Sequence, residues 1–248
     1  MIFNSELYYI FMLSLSIIIP VYNEDKTILQ ILKLVGLKIK ELNNYKFEII
    51  VVDDCSTDKT KSILEENKNL FNKVIFNDKN YGKGFSVQKG INAAENEIIM
   101  IQDADLEYLP ENYEQLLKPF HVNADVVYGS RFRTTEANRV IFFWHFIANS
   151  IITFLSNCFS NLNLSDVEVG YKLFKKRIFD NIILTEKSFG FEIEITHKIS
   201  NIKPKLKIYE TGISYYARDY SEGKKIGIKD AFRALYCIIK FGLFRIKK

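Results

Sequence analysis

Short, unbroken apolar runs dominate the first half of the chain, and three of them stop at acids. Leu15 to Tyr22 is followed by Asn23-Glu24, Phe47 to Val52 by Asp53-Asp54, and Glu97 to Gln102 by Asp103-Ala104-Asp105. Runs so rich in Ile and Val, with little polar alternation, predict strands buried on both faces, as in a parallel sheet. Between them the period changes. Thr27-Ile28-Leu29 opens a helical stretch to about Leu42, and Ser56-Thr57-Asp58 can cap another to about Asn67. Asn80-Tyr81-Gly82-Lys83-Gly84 leads into a third, to about Ala94. Lys73 to Asn77 and Asp125 to Tyr128 add two strands, the second ending in Gly129-Ser130-Arg131. This alternation predicts an α/β domain with a mostly parallel, Rossmann-like central sheet and helices on both faces.

The second half carries two longer amphipathic patterns. Val140 to Ser165 contains no Asp, Glu, Lys or Arg, a length that invites a membrane span. Yet His145, Asn149, Thr153, Ser156 and Ser160 recur at helical steps, which favours an amphipathic or buried helix with a polar stripe. From Ile226 to Ile246, Lys229, Arg233 and Lys240 share one helical face, and Ile228, Phe232, Leu235 and Ile239 another. Such a helix suits an anionic membrane surface, or else packs on its own domain. The pattern divides the chain into an N-terminal extension (1–12), a main domain (13–220) and a basic C-terminal segment (221–248). Met1 to Phe11 lacks a basic n-region and a cleavage site, so a signal peptide is a poor reading. The segment reads as a peripheral extension, or as upstream of a true start at Met12.

Charge sharpens the view of the tail. The chain carries +4 overall, but residues 222–248 hold eight Lys or Arg against two acids, so the remainder is slightly acidic. The positive charge is local and points to a local anionic partner rather than to nucleic acid. Three scattered cysteines fit neither a disulfide framework nor a zinc site, and suit a reducing, cytoplasmic compartment. The three histidines lack metal-ligand spacing.

Acids just past the carboxyl ends of parallel strands meet in the crevice where such sheets bind ligands. Several converging carboxylates repel one another unless a cation joins them. Asp103 and Asp105 sit two apart in an extended segment, so both can face one ion. Hard oxygen ligands suit Mg²⁺ or Mn²⁺, whose shells substrate phosphates commonly complete. Asp53 is favoured as ligand-facing, while Asp54 is equally suited to contacting ligand or to capping. The Gly82-Lys83-Gly84 loop offers amides to phosphate, but it is not a Walker loop, and Val87 spoils the dinucleotide fingerprint.

Taken in order, Ile17-Ile18-Ile19-Pro20-Val21-Tyr22-Asn23-Glu24, Val51-Val52-Asp53-Asp54-Cys55-Ser56-Thr57-Asp58, Asn80 to Gly84, Asp103-Ala104-Asp105, Asp125 to Phe132 and Phe189-Gly190-Phe191-Glu192 resemble the motifs of family 2 glycosyltransferases with a GT-A fold. The resemblance runs from about Leu13 to Ile239 and is nearest to the dolichyl- or polyprenyl-phosphate mannosyltransferase-like branch. It implies inverting, non-processive transfer of one sugar from GDP-mannose or a UDP-hexose to a lipid phosphate. It implies that Pro20, Tyr22, Glu24 and Asp53 hold the nucleoside, with Lys83 near the nucleotide. Asp103 and Asp105 carry metal and diphosphate, and Glu107 extends the metal shell. Where relatives often have Glu-Thr-Cys-Tyr-Lys, this chain has Glu168-Val169-Gly170-Tyr171-Lys172, a departure on the acceptor side. No Gln-x-x-Arg-Trp run marks it as a processive synthase.

Acceptor chemistry can be stated physically. A sugar hydroxyl needs a general base. A phosphate monoester is already anionic at pH 7 and needs cations to hold it. Candidate cations are Arg131, Arg133, Lys172, Arg218 and Lys224, with Arg131 and Arg218 matching family positions. Glu192 or Glu194 could serve as a base for a saccharide hydroxyl in the rival reading; a helix would point only one of them at the site, leaving Glu194 exposed. A non-catalytic sugar-nucleotide-binding subunit is the third reading. The predicted setting is peripheral, on the cytoplasmic face of a membrane, with a membrane-protein partner possible.

Overall fold

The computed structural model describes residues 12–133, 139–140, 142–218 and 228–243. Residues 1–11, the Lys224 acceptor candidate and most of the segment before the last helix lie outside them. The first three predicted strands are β1 (Leu13–Val21), β2 (Tyr45–Asp53) and β4 (Ile98–Ile101), with β3 (Lys73–Phe76) between the last two in sequence. From Leu15 to Ile19 and from Ile49 to Val52 the side chains are almost wholly buried, as runs without polar alternation require. Ser16 is the polar interruption, and its hydroxyl donates to Glu48 at 2.6 Å.

The seven strands run in the order β3-β2-β1-β4-β6-β5-β7. β3, β2, β1 and β4 are parallel, and β5 (Val126–Ser130) is parallel to β7 (Ile208–Gly212). β6 (Lys172–Lys175) lies between β4 and β5 and is antiparallel to both. Register pairs Val21 with Asp53 and Ile18 with Ile101, so the acid-bearing ends of β1, β2 and β4 share one edge. Helices α1 (Ile28–Glu41), α2 (Thr60–Glu66) and α3 (Lys83–Ala93) connect these strands. α1 buries Ile28, Ile31, Leu32 and Val35, the spacing of a single helical face. α4 (Tyr113–His121) precedes β5.

Two helices turn their polarity around. α5 (Phe143–Ser160) buries Ile152, Thr153, Ser156 and Ser160 and leaves Trp144 75% and Phe154 66% exposed. The predicted polar stripe therefore faces the protein, and aromatic side chains face out. Among the described residues no helix is long and apolar enough to cross a membrane. α5 packs against α6 (Phe191–Ser200) and α7 (Ile228–Gly242). α7 buries Ala234, Cys237, Ile238 and Phe241. Two of the three residues of its expected basic face are engaged by the protein: Arg233 and Lys240 both pair with buried Glu186, at 2.5 and 2.9 Å. α7 presents outward Phe232, Tyr236 and Ile239, together with Lys229 and part of Arg233.

Candidate functional site

The three acid-tipped strand ends open on one cavity of about 640 Å³. β1 and the residues after it contribute Pro20, Tyr22 and Glu24, and α3 contributes Lys83 from its first turn. The segment after β4 supplies Asp103, Asp105 and Glu107, and Arg131 and Arg218 complete the wall. Glu24 accepts the Thr27 hydroxyl at 2.8 Å and lies 3.5 Å from the Arg218 guanidinium.

Of the two acids after β2, it is Asp54 and not Asp53, the one favoured from sequence, that reaches the cavity. Asp53 does not line the cavity: its carboxylate turns back to accept the Ser56 hydroxyl at 2.5 Å and the Ser56 amide at 3.2 Å. Asp54 does line it, accepting the amides of Gly82 at 2.6 Å and Tyr81 at 3.1 Å and the Asn77 side chain at 2.7 Å. Those bonds hold the glycine loop in place. Gly82 has φ +100°, and a Cβ there would stand 2.5 Å from the Lys187 carbonyl, so only glycine serves.

Charge alternates across the cavity. Lys83 pairs with Asp103 at 2.7 Å and reaches Glu192 at 3.4 Å, and these carboxylates hold its pKa up although burial opposes the charge. Arg218 pairs with Asp105 at 2.9 Å, and its backbone amide donates to Glu107 at 3.0 Å. Burial, then repulsion from Asp103 and Glu107, pushes the Asp105 carboxyl up to about 7 despite Arg218. A carboxyl raised so far beside other carboxylates is short of positive charge, which is the condition a hard divalent cation relieves. Asp103 and Asp105 fit such an ion.

Glu107, expected to extend the metal shell, is already engaged by the protein at both oxygens. One oxygen takes the Arg218 amide and the other the Tyr215 hydroxyl at 3.0 Å. Among the described residues no three His, Cys, Asp or Glu side chains gather into a metal cage. Two carboxylates completed by substrate phosphates remain the arrangement that suits Mg²⁺ or Mn²⁺.

Arg131 also lines the cavity, its guanidinium 5.2 Å from the centre of the Tyr215 ring. Fully buried Asp166 receives its guanidinium in a two-pronged pair, both contacts at 2.7 Å, and Asn149 of α5 accepts a third bond at 3.0 Å. Asp166 holds the guanidinium charged well above its ordinary range, although burial opposes the charge. Arg131, Tyr215 and a second arginine, Arg139, also line a second, mainly apolar cavity of about 460 Å³, walled otherwise by Phe132, Val140, Phe143 and Phe146. The charged cleft and this apolar groove meet at Arg131.

Lys172, predicted to hold the acceptor, is fully buried, absent from the cavity wall, and bound to Glu192 and to the Val169 carbonyl. Arg133 is half exposed and paired with Glu210 at 2.7 Å. Only Glu192 of the two candidate bases faces the cavity, as helical geometry requires. Glu194 is completely buried rather than exposed, accepting the amides of Thr185 and Glu186. Sequence reading missed Asp166, Asn149, Tyr215 and a role for Asp54. Asp166 had a signal, as the first acid after a long uncharged stretch; Tyr215 had none.

The geometry is that of a mostly parallel α/β sheet whose strand ends open on a cavity that holds both carboxylates and the cations Lys83, Arg131 and Arg218. The family model "Glycosyl transferase family 2" matches residues 16–183, and the chain belongs to that family. It is similar to undecaprenyl-phosphate 4-deoxy-4-formamido-L-arabinose transferase of Proteus mirabilis (26% identical, covering 84% of this chain and 62% of the relative). It is likewise similar to dolichol-phosphate mannosyltransferase of Pyrococcus furiosus (26%, 92% and 64%). The chain thus spans a little over three fifths of the length of these two relatives. Among solved structures, glucosyl-3-phosphoglycerate synthase of Mycobacterium tuberculosis, with Mn²⁺, UDP and its product, shares the GT-A fold. Its TM-score is 0.69 at 14% identity, covering 92% of this chain and 80% of that one.

Proposed function

We propose that the chain transfers one sugar, with inversion, from a nucleotide-sugar to a polyprenyl phosphate at the cytoplasmic face of a membrane. The observation that carries this reading is the junction at Arg131. A buried, rigidly held cation lies where a charged cleft opens into an apolar groove. A phosphate with a hydrocarbon tail needs both environments side by side. The names of the two relatives, each a lipid-phosphate sugar transferase, support it.

In this reading Pro20, Tyr22 and Glu24 bind the nucleoside, and Asp54 shapes the loop that brings Lys83 to the nucleotide. Asp103 and Asp105 would hold Mg²⁺ or Mn²⁺, which when bound neutralises charge on the diphosphate. Arg218 stands beside the same leaving group, and Arg131 orients the acceptor. An oxygen of the acceptor phosphate attacks the anomeric carbon. The bond to the nucleoside diphosphate breaks, and its electron pair leaves with the diphosphate. No proton has to be removed, since the attacking group is anionic at pH 7. Glu192 faces the cavity with burial raising its carboxyl pKa although Lys172 and Lys83 pair with it, and an anionic acceptor does not need it as a base. The outward apolar faces of α5 and α7 suit a membrane surface, with or without a membrane-protein partner.

The test offers the purified protein UDP-glucose, UDP-galactose, UDP-N-acetylglucosamine and GDP-mannose with a short-chain polyprenyl phosphate, with Mn²⁺ or chelator. Label in the lipid from one donor, lost with chelator, is the expected outcome. Labelling of a soluble saccharide but never of the lipid would overturn the acceptor assignment.

A further inference from the structure

Residues 166 to 170 run from the partner of Arg131 to a close contact with Asp103. Asp166 grips Arg131 at one end. At the other, Gly170 lies so close to Asp103 that a Cβ there would collide with its carboxylate. Glu168 is midway along this segment, and its side chain lines the cavity. One carboxylate oxygen, Oε1, is buried and has no hydrogen-bond partner among the described residues. Buried polar atoms are rarely left this way, because the cost of desolvation is not returned. Its neighbours do not relieve it. Lys172 is engaged by Glu192 and Val169, and Arg131 by Asp166 and Asn149. Burial, and then Glu192, pushes the Glu168 carboxyl up to about 7, although Lys172 and Arg131 pull the other way.

We infer that Glu168 is a recognition residue for the donor sugar, accepting a hydrogen bond from one ring hydroxyl or amide N–H of the transferred group. This deepens the proposed function and rests on it for the positions of leaving group and acceptor. With diphosphate at Asp103–Asp105 and phosphate at Arg131, the transferred ring must lie between them. Glu168 is the acidic side chain of the intervening segment that faces that space. An anionic acceptor phosphate would be repelled by the carboxylate, whereas a sugar hydroxyl satisfies the orphaned oxygen once the carboxylate turns about its last torsion to bring that oxygen to the cavity. Specificity follows from the same fact. A site built to bond a hydroxyl rejects a ligand lacking it, by roughly 10⁴-fold where the site is dry, because the site's own polar group is then stranded.

The test compares wild type, Glu168→Gln and Glu168→Leu in two measurements. Calorimetry in Mn²⁺ gives the affinity for UDP and GDP and for UDP-glucose, UDP-galactose, UDP-N-acetylglucosamine and GDP-mannose, with no acceptor present. For the sugar nucleotide bound tightest, the monodeoxy analogues are then titrated. Wild type should lose at least tenfold in affinity for one analogue and little for the others. Glu168→Leu should bind that analogue and the parent equally, and bare nucleotide within twofold of wild type. The thermal midpoint of Glu168→Leu should stay level or rise, since an unsatisfied buried oxygen has been removed. If the deoxy profile of Glu168→Leu matches that of wild type at every position, the inference fails. It fails equally if bare nucleotide weakens as much as the sugar nucleotide, or if the midpoint falls, either of which marks a structural role. Because no acceptor is used, loss of the lipid-phosphate reading would leave these outcomes intact.

Discussion

In the proposed reading one half of the molecule faces the nucleotide and the other the acceptor, and the two are built on opposite rules. In the first, β1, β2 and β4 are mostly apolar inside, with Glu48 a buried exception, and its acids in the cavity follow the strand ends. In the second, ion pairs are packed within: Asp166, Lys172, Glu192 and Glu194 are all buried, as is His197, whose site favours the uncharged ring, while Trp144, Phe154 and Phe232 look outward. The contrast teaches that the donor cleft is anchored by hydrophobic burial, which tolerates acid and salt. The acceptor wall is anchored by paired charges, which do not. Its apolar exterior also makes sense only against another apolar medium.

The largest effect should come from the donor side. Asp105→Asn should lower kcat/KM by at least about 10³-fold, since it removes half of the carboxylate pair offered to the metal. Stability should not suffer, because that carboxyl is already disfavoured by burial and by Asp103 and Glu107. Initial rates across a Mn²⁺ titration, with a thermal melt, check both. Full activity would break the metal assignment.

On the acceptor side activity and stability should fall together. Arg131→Ala strands the fully buried Asp166, a loss of about 3–5 kcal/mol. Rate with lipid phosphate should drop roughly 10²-fold, while nucleotide affinity is unchanged. Asp166→Asn, which keeps the shape but not the charge, separates the two effects. Arg131→Lys should restore charge but not the two-pronged grip, and so only part of the rate. Denaturant unfolding and acceptor-dependent kinetics measure these outcomes. A variant that loses nucleotide affinity instead would erase the distinction between the halves.

Acid should loosen the acceptor half first. His197 lies buried between α5 and α7, its Nε2 3.2 Å from the Ser156 hydroxyl and its Nδ1 without a partner. Burial lowers its pKa from 6.5 to about 4. The unfolded chain therefore takes up the proton first. The contribution is complete above pH 6.5 and is lost as pH falls towards 4, amounting to about 2 kcal/mol by pH 5. Urea unfolding at pH 7.5 and pH 5 should show that loss in wild type, and less of it in His197→Gln. Equal pH dependence in the two proteins would refute it.

Legibility in the sequence follows the same divide. The strands of the donor half announce themselves because inside means apolar, and their acids fall at the sheet edge because parallel register puts them there. The choice between Asp53 and Asp54 was not legible, since it depends on which carboxylate the Ser56 hydroxyl captures. In the acceptor half, α5 resembles a membrane span and α7 a basic amphipath. What decides both is the partner: Glu186 draws Arg233 and Lys240 inward, and His197 meets the serine stripe of α5. Lys172 looked like a surface cation for the same reason, its partner Glu192 being twenty residues away in sequence.

The outer face gives the smallest effect and the most direct view of the contrast. Trp144 is the sole tryptophan of the chain and is 75% exposed on α5. Its fluorescence therefore reports on this face alone. Vesicles should shift its emission to the blue, and high salt should not reverse the shift, because Arg233 and Lys240 are already paired with Glu186. Phe154→Ser and Phe232→Ser should each weaken vesicle partitioning by about tenfold, as removing one buried aromatic ring predicts. Transfer to a short, water-soluble polyprenyl phosphate should be unchanged, since neither residue lines the cleft. Binding that disappears in high salt would mean that charge, not the aromatic face, carries the contact. A constant emission accompanied by dimer formation would mean that the apolar exterior is covered by a second copy.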